Sequence, residues 1–296
     1  MRVLLLGLVV GLWLCAAPAQ AQQLRLAAPS DCLANPGCGL GLKSVYGLDV
    51  TSAFVPLTVA DSGITALDDG IAEVAVAFSS NPQVSRPDIV TLRDDRRMIF
   101  PDLVVPIVRR ALLRRYGRLA RDIRRRLNDE PAALTTLALR RLNQELIDGR
   151  IPEAVGGEFI DVNGLARSGP SRRGPRIRLG YMAFEENEML AYLYAETLRA
   201  GGYRVQVRRV GGLRRQAVRA LRQGRIDIYP DYDGSLLRHL VGESRARRSA
   251  GLRRALERIR AVPLRLSRAQ NRNVFVSKNS TAAQFGLSRV SDLARY

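Results

Sequence analysis

The chain has 296 residues, 47 Lys and Arg against 28 Asp and Glu, a formal charge of +19 and a single histidine. About 275 residues follow the N-terminal leader described below, more than one hydrophobic core usually serves, so two lobes are expected. The basic charge does not make a nucleic-acid protein: the arginines are scattered along the whole length, lysine is confined to Lys43 and Lys278, and the leader directs export.

In chain order, Arg2, an apolar run from Val3 to Ala16 and Ala19-Gln20-Ala21 read as a signal peptide over residues 1–21. The run is shorter than the roughly 20 residues a membrane span needs. Lipid attachment at Cys15 is the alternative to ordinary cleavage. Cys32 and Cys38 then remain, an even pair in an oxidising compartment, and a local disulfide is expected. With one distant histidine, His239, no metal site and no cofactor are expected.

Val74 to Phe78, Ile89 to Leu92 and Val104 to Val108 are apolar runs of strand length. Ala111 to Leu127 and Ala132 to Ile147 carry helical patterns. Residues 165–175 are rich in Gly, Ser, Pro and Arg and read as a linker. Strand (176–180), helix (185–200), strand (203–210), helix (213–223) and strand (226–229) then alternate, which implies parallel pairing with right-handed crossovers. Ligands of such sheets bind beyond the carboxyl ends of the strands, which singles out Phe184 to Asn187 and Tyr229 to Ser235. Residues 243–249 are a further polar stretch. A helix (252–259), a strand (273–277) and a short helix from Ser291 close the chain.

Gly180 to Asn187, with Leu190-Ala191 and Tyr194-Ala195, and then Gly211-Gly212, Ala220-Leu221, Gly224 and Ile226 to Ser235 form a spaced set of motifs over some sixty residues. This set resembles the glycine betaine, choline and proline-betaine binding proteins of ABC importers (OpuAC-like), with their G-S-K-x-F-T-E-Q and I-D-x-Y-P-E-Y-T-G-T runs. Gly41 to Leu48, Ala72 to Pro82, Leu92 to Arg96, Pro101, Val104 to Arg109, Leu142-Asn143 and Val155 are similar to later parts of the same pattern. Gln270 to Asn273 and Leu287 to Ala294 are similar to its middle. The order is that of a circular permutation, which surface termini tolerate.

The resemblance implies an α/β, two-lobed, type II periplasmic-binding-protein-like fold, each lobe a mostly parallel sheet flanked by helices. One lobe is expected over 24–92 plus 250–296 and the other over 93–245. It implies an exported, periplasmic or cell-surface protein that hands a small solute to an ABC transporter permease, touching the membrane only through the permease or a lipid anchor. A ligand-sensing or envelope-associated binding protein on the same fold is the alternative. With no G-x-S-x-G, P-loop or HExxH motif, no enzyme is expected.

Tyr232 falls on the family's cage position, Ser235 replaces a threonine that holds the ligand carboxylate, and Asn187 replaces a glutamine. Aromatic faces suit a quaternary ammonium because the ring quadrupole attracts a cation. Val274, Ile64 and Asp102 or Leu103 stand where the family has further aromatics, so the cage does not carry over. Glu185, Glu186, Asp231, Asp233 and Asp102 make this edge acidic, which suits a cationic or amine-bearing ligand. The expected ligand-binding set is Tyr232, Ser235, Asn187, Phe184, Tyr229, Asp231, Asp233, Asn273 and Asp102.

Overall fold

The computed structural model describes residues 24–58, 62–169, 173–242 and 250–296. The expected signal peptide and the polar stretch 243–249 lie outside them. In chain order the elements are β1 (Leu26–Pro29), α1 (Gly39–Gly41), β2 (Phe54–Leu57), α2 (Gly63–Asp68), β3 (Val74–Phe78), β4 (Ile89–Leu92), β5 (Val104–Arg109), α3 (Arg110–Tyr116), α4 (Ala120–Asp129), α5 (Thr136–Ile147) and α6 (Pro152–Val162). There follow β6 (Arg173–Tyr181), α7 (Glu185–Ala200), β7 (Tyr203–Arg209), α8 (Arg214–Arg222), β8 (Ile228–Tyr232), α9 (Asp233–Val241), α10 (Ala250–Glu257), β9 (Ala261–Pro263), β10 (Asn273–Lys278) and α11 (Asn279–Phe285).

These strands make two five-stranded sheets, ordered β2-β1-β3-β10-β4 and β7-β6-β8-β5-β9. The protein is an α/β fold with two lobes, one around each sheet. The period-2 rule of a strand explains the continuous apolar runs. On β3, Val74 and Val76 enter a core with Leu42 and Phe275, while Ala75 and Ala77 enter another with Ile64 and Val276. On β5, Val104 and Val108 face one core, and Val105 and Ile107 the opposite one. A strand covered on both faces needs no polar alternation.

The β6–α7–β7–α8–β8 unit forms as its sequence alternation implies, with β6 parallel to both β7 and β8. The sheets are mixed rather than mostly parallel. In the first, β10 runs antiparallel to both β3 and β4; in the second, β5 runs antiparallel to both β8 and β9. The reason is the path of the chain. It crosses once from β4 to β5 and once back from β9 to β10, and each arriving strand enters the new sheet against its neighbours.

The two crossings lie side by side. Leu103 bridges Gln270, the Val104 N–H donates to the Ala269 carbonyl at 3.0 Å, and the Asn271 N–H donates to the Asp102 carbonyl at 3.0 Å. A two-strand connection of this kind is the usual place for a hinge.

Two expectations are corrected. Residues 250–263 do not join the N-terminal residues, because β9 pairs with the edge of β5 and α10 buries Leu252 and Leu256 in the core that holds Leu236. Residues 165–175 are expected as a linker within the second lobe. Residues 170–172 lie outside the described ones, but α6 before them and β6 after them pack into the same core through Val155, Ile160 and Ile177. The single helix expected over 111–127 is broken at Gly117, whose φ of +51° ends α3. The disulfide forms, with Cys32 and Cys38 bonded at a Cα separation of 5.1 Å.

Candidate functional site

A cavity of about 720 Å³ draws its walls from both lobes. The first lobe gives Phe78 at the end of β3 and the Ser80 to Gln83 turn. The crossings give Asp102 and Asn271. The second lobe gives Asn143 on α5, the α7 start at Phe184 to Glu186, Arg214, Tyr232 and Ser235. Three of these groups stand beyond strand ends at helix starts, where unsatisfied backbone N–H groups favour anions.

Glu186, in the first turn of α7, is the hub. One carboxylate oxygen accepts from the Tyr232 hydroxyl and, at 2.8 Å, from Asn271 Nδ2. The other accepts from Asn143 Nδ2 at 2.6 Å. A carboxylate can only accept, so both amides are turned with their NH₂ groups toward it. Their Oδ1 atoms are left buried with no hydrogen-bond partner among the described residues. Burial, and next the nearby Glu186 charge, push the Tyr232 hydroxyl well above its ordinary pKa.

Asn143 Nδ2 also donates to the Ser80 carbonyl at 2.9 Å, and Arg140 donates to the Ser79 carbonyl at 2.8 Å and the Ser85 hydroxyl at 2.9 Å. Helix α5 of the second lobe therefore grips the β3–β4 turn of the first.

Asp102 docks the crossing onto α9. Its carboxylate accepts from the Ser235 N–H at 2.8 Å and from the Ser235 hydroxyl, and Arg238 stands 3.6 Å away. Burial pushes the Asp102 carboxyl up to about 6, against the lowering influence of Ser235 and Arg238. Arg214 donates to Asp231 at 2.9 Å; burial works against its charge and Asp231 outweighs that, leaving its pKa raised.

Of the residues expected at the site, Tyr232, Ser235, Phe184 and Asp102 line the cavity. Asn187 does not: it is fully buried, accepting from the Met182 N–H at 2.7 Å and donating to the Pro230 carbonyl at 3.1 Å, and so ties the β6–α7 turn to β8. Asp233 is likewise occupied, accepting from the Leu103 N–H at 2.7 Å. Asp231 and Tyr229 are fully buried beneath the wall. Asn273 lines a different cavity, and its amide donates to the Gly37 carbonyl at 3.3 Å. The acidic edge is therefore largely answered from within the protein: Asp231 by Arg214, Asp233 by Leu103, and Glu186 by three donors. Glu185 keeps an exposed carboxylate on the wall.

Residues 16–162 and 175–296 match the sequence pattern of the substrate binding domain of ABC-type glycine betaine transport systems. The chain belongs to that family. It is a solute-binding protein for ABC import, and its family implies a small-molecule ligand and a permease partner. None of the curated proteins matches this OpuAC-family chain.

Among solved structures it is similar to the GluR0 ligand-binding core in complex with L-glutamate, at 8% identity and a TM-score of 0.43 over 92% of this chain and 91% of that one. It is also similar to an ancestral arginine-binding protein bound to arginine, at 12% identity and 0.36 over 92% and 90%. A third is YhfZ from Shigella flexneri, at 13% identity and 0.41 over 92% of both. Among the described residues no helix is long and apolar enough to cross a membrane, and no three His, Cys, Asp or Glu side chains stand close enough to hold a metal ion.

Sequence reasoning missed Phe78, Asn143, Asn271 and Arg214 as site residues. Three of them stood inside family motifs, Phe78 in Ala72 to Pro82, Asn143 in Leu142-Asn143 and Asn271 in Gln270 to Asn273, and could have been found there.

Proposed function

We propose that this OpuAC-family protein is exported and captures a cationic or zwitterionic amine-type solute in the cleft between its lobes for delivery to the permease. One observation carries the reading. The cleft wall combines aromatic faces from both lobes, Phe78 on one side and Phe184 and Tyr232 on the other, with the carboxyl groups of Glu185 and Asp102. Aromatic faces and carboxylates are the two groups that hold an organic cation. The unpartnered Oδ1 atoms of Asn143 and Asn271 support a solute that also carries N–H donors. The guanidinium of Arg214 supports one that carries a carboxylate. The aromatics missing from the family's cage positions are in part replaced by Phe78, which comes from the opposite lobe.

The test is a thermal-shift and calorimetric screen of glycine betaine, choline, amino acids and polyamines. A member of the panel at 100 times its dissociation constant is expected to add about 2.7 kcal/mol of stability. Phe184→Ala, which removes a 40% exposed ring, is expected to weaken that solute about tenfold. Binding of neutral sugars alone, with no response to any amine, would overturn the reading.

Asp102 gives the reading a pH dependence. Its folded pKa of about 6 lies above the ordinary carboxyl value, so the folded protein holds this proton more tightly than the unfolded chain. Its contribution to stability is therefore fully present below about pH 4 and is lost as pH rises through about 6. Affinity for a cation runs the other way, rising from pH 5 to pH 7 as Asp102 ionises. Titration calorimetry across that range, with Asp102→Asn as the flat control, measures it. A wild-type profile no steeper than the control's would remove Asp102 from the site.

A further inference from the structure

We propose that a second cavity of this protein, set against the first lobe beside the interlobe crossings, binds a small multivalent organic oxyanion. The cavity has a volume of about 420 Å³ and is lined by Arg93, Arg97, Arg272, Asn273 and Phe100, with Asp94 also in its wall. Its position is fixed by the same two crossing segments that border the solute cleft. Asn271 and Asp102 line the cleft, while Arg272 and Asn273 on one crossing and Phe100 and Pro101 on the other line the second cavity.

Three arginines, Arg93, Arg97 and Arg272, line this cavity. Among the described residues, Arg93, Arg97 and Arg272 form no ion pair. Arg272 makes one long contact, from its guanidinium to the Ile99 carbonyl at 3.5 Å. Asp94, the acid in the wall, is already engaged on both oxygens. Oδ1 accepts from the Tyr46 hydroxyl at 2.5 Å and the Met98 N–H at 2.9 Å, and Oδ2 accepts from the Ile99 N–H at 2.7 Å. Those bonds close the 94–99 loop that carries Arg97, whose backbone sits in the left-handed region at φ +55°.

Like charges brought together repel, and a bound anion relieves that repulsion while accepting from several planar N–H forks at once. A single monovalent ion would answer one guanidinium; three call for an anion with several oxygens. The Phe100 ring, 52% exposed beside them, offers a face to an apolar portion of the ligand. The guanidinium groups serve carboxylate and phosphate oxygens alike, so the chemistry assigned is that of an oxyanion and the probes separate the two.

The experiment is titration calorimetry of the full mature protein with citrate and, separately, with inorganic pyrophosphate, at constant ionic strength. Saturable binding of one probe per molecule is expected, and the stronger probe identifies carboxylate or phosphate as the preferred group. Arg97→Gln and Arg93→Gln are each expected to weaken it about tenfold or more, the usual worth of one charge-assisted contact. The paired change Arg208→Gln with Arg209→Gln, on β7 of the other lobe, is expected to leave it unchanged. An absence of saturable binding for both probes, or an equal loss in the β7 control, would show general attraction to a basic surface and overturn the proposal. Arg93 and Arg97 stand outside the solute cleft, so amine binding and oxyanion binding succeed or fail independently.

Discussion

Glu186→Ala is expected to abolish tight solute binding, with a loss of about a hundredfold or more in affinity. The carboxylate holds Tyr232, Asn143 and Asn271 together, and these three come from β8, from α5 and from the returning crossing. Removing it leaves one buried and two part-buried donors without this acceptor. Each costs about 1–3 kcal/mol, and 1.4 kcal/mol is a factor of ten, so disorder at even two of them accounts for the expected loss. The variant also loses the bond that orients Asn143 toward the Ser80 carbonyl, and with it one of the contacts between α5 and the first lobe. Tyr232→Phe removes only one donor and keeps the ring, so it should lose about tenfold or less. Calorimetric titration of both variants with the best solute of the screen checks this. Equal losses in the two would mean that the tyrosine hydroxyl, not the carboxylate, organises the wall.

Asp227→Ala is expected to be the most destabilising single change, by about 3–5 kcal/mol, with a fall of roughly 10 °C in melting temperature. The Asp227 carboxylate has no exposure and faces five nitrogen groups from three elements. Arg178 of β6 contacts it through its backbone N–H, Nε and Nη2, each at 3.0 Å; Arg115 of α3 approaches to 3.2 Å and Arg109 of β5 to 3.8 Å. Without the carboxylate, three partly buried guanidinium groups face one another. Burial works to raise this carboxyl, and Arg178 and Arg115 outweigh it, so its pKa lies below the ordinary carboxyl range.

A depressed folded pKa gives stability that is present above about pH 4, the unfolded value, and is lost as pH falls through the folded one. The sign is opposite to that of Asp102. Wild type should therefore weaken more steeply in acid than Asp227→Ala does, a difference that urea unfolding at pH 3 and pH 7 measures. A variant that keeps the wild-type acid slope would show that other carboxylates govern acid unfolding.

Asp227 also shows what a motif can hide. It belongs to the Ile226-Asp227-Ile228-Tyr229 run that carries the family resemblance, yet its work is to bind β8 to β6, β5 and α3. The longer run to Ser235 delivers Tyr232 and Ser235 to the cleft, so one stretch of sequence serves the fold at its start and the cleft wall at its end.

The amino-acid sequence by itself determined those features that depend on near neighbours. The strand-helix alternation of 176–229 set the parallel β6, β7 and β8, because period and chirality leave that unit one way to fold. The carboxyl-end rule then put Phe184, Tyr232 and Ser235 at one edge, and the six-residue spacing of Cys32 and Cys38 permitted their bond. Tertiary structure alone decided the rest. Whether a polar residue such as Asn187 or Asp233 faces solute or is consumed by a backbone N–H depends on chain that returns from far away, here Met182 and Pro230 in one case and Leu103 in the other. Phe78, Asn143 and Asn271 meet because β3, α5 and the returning crossing converge on one cleft, although up to 193 positions separate them in the chain. Residues 250–263 went to the second lobe because β5 had a free edge to pair, a fact that no local pattern of theirs records.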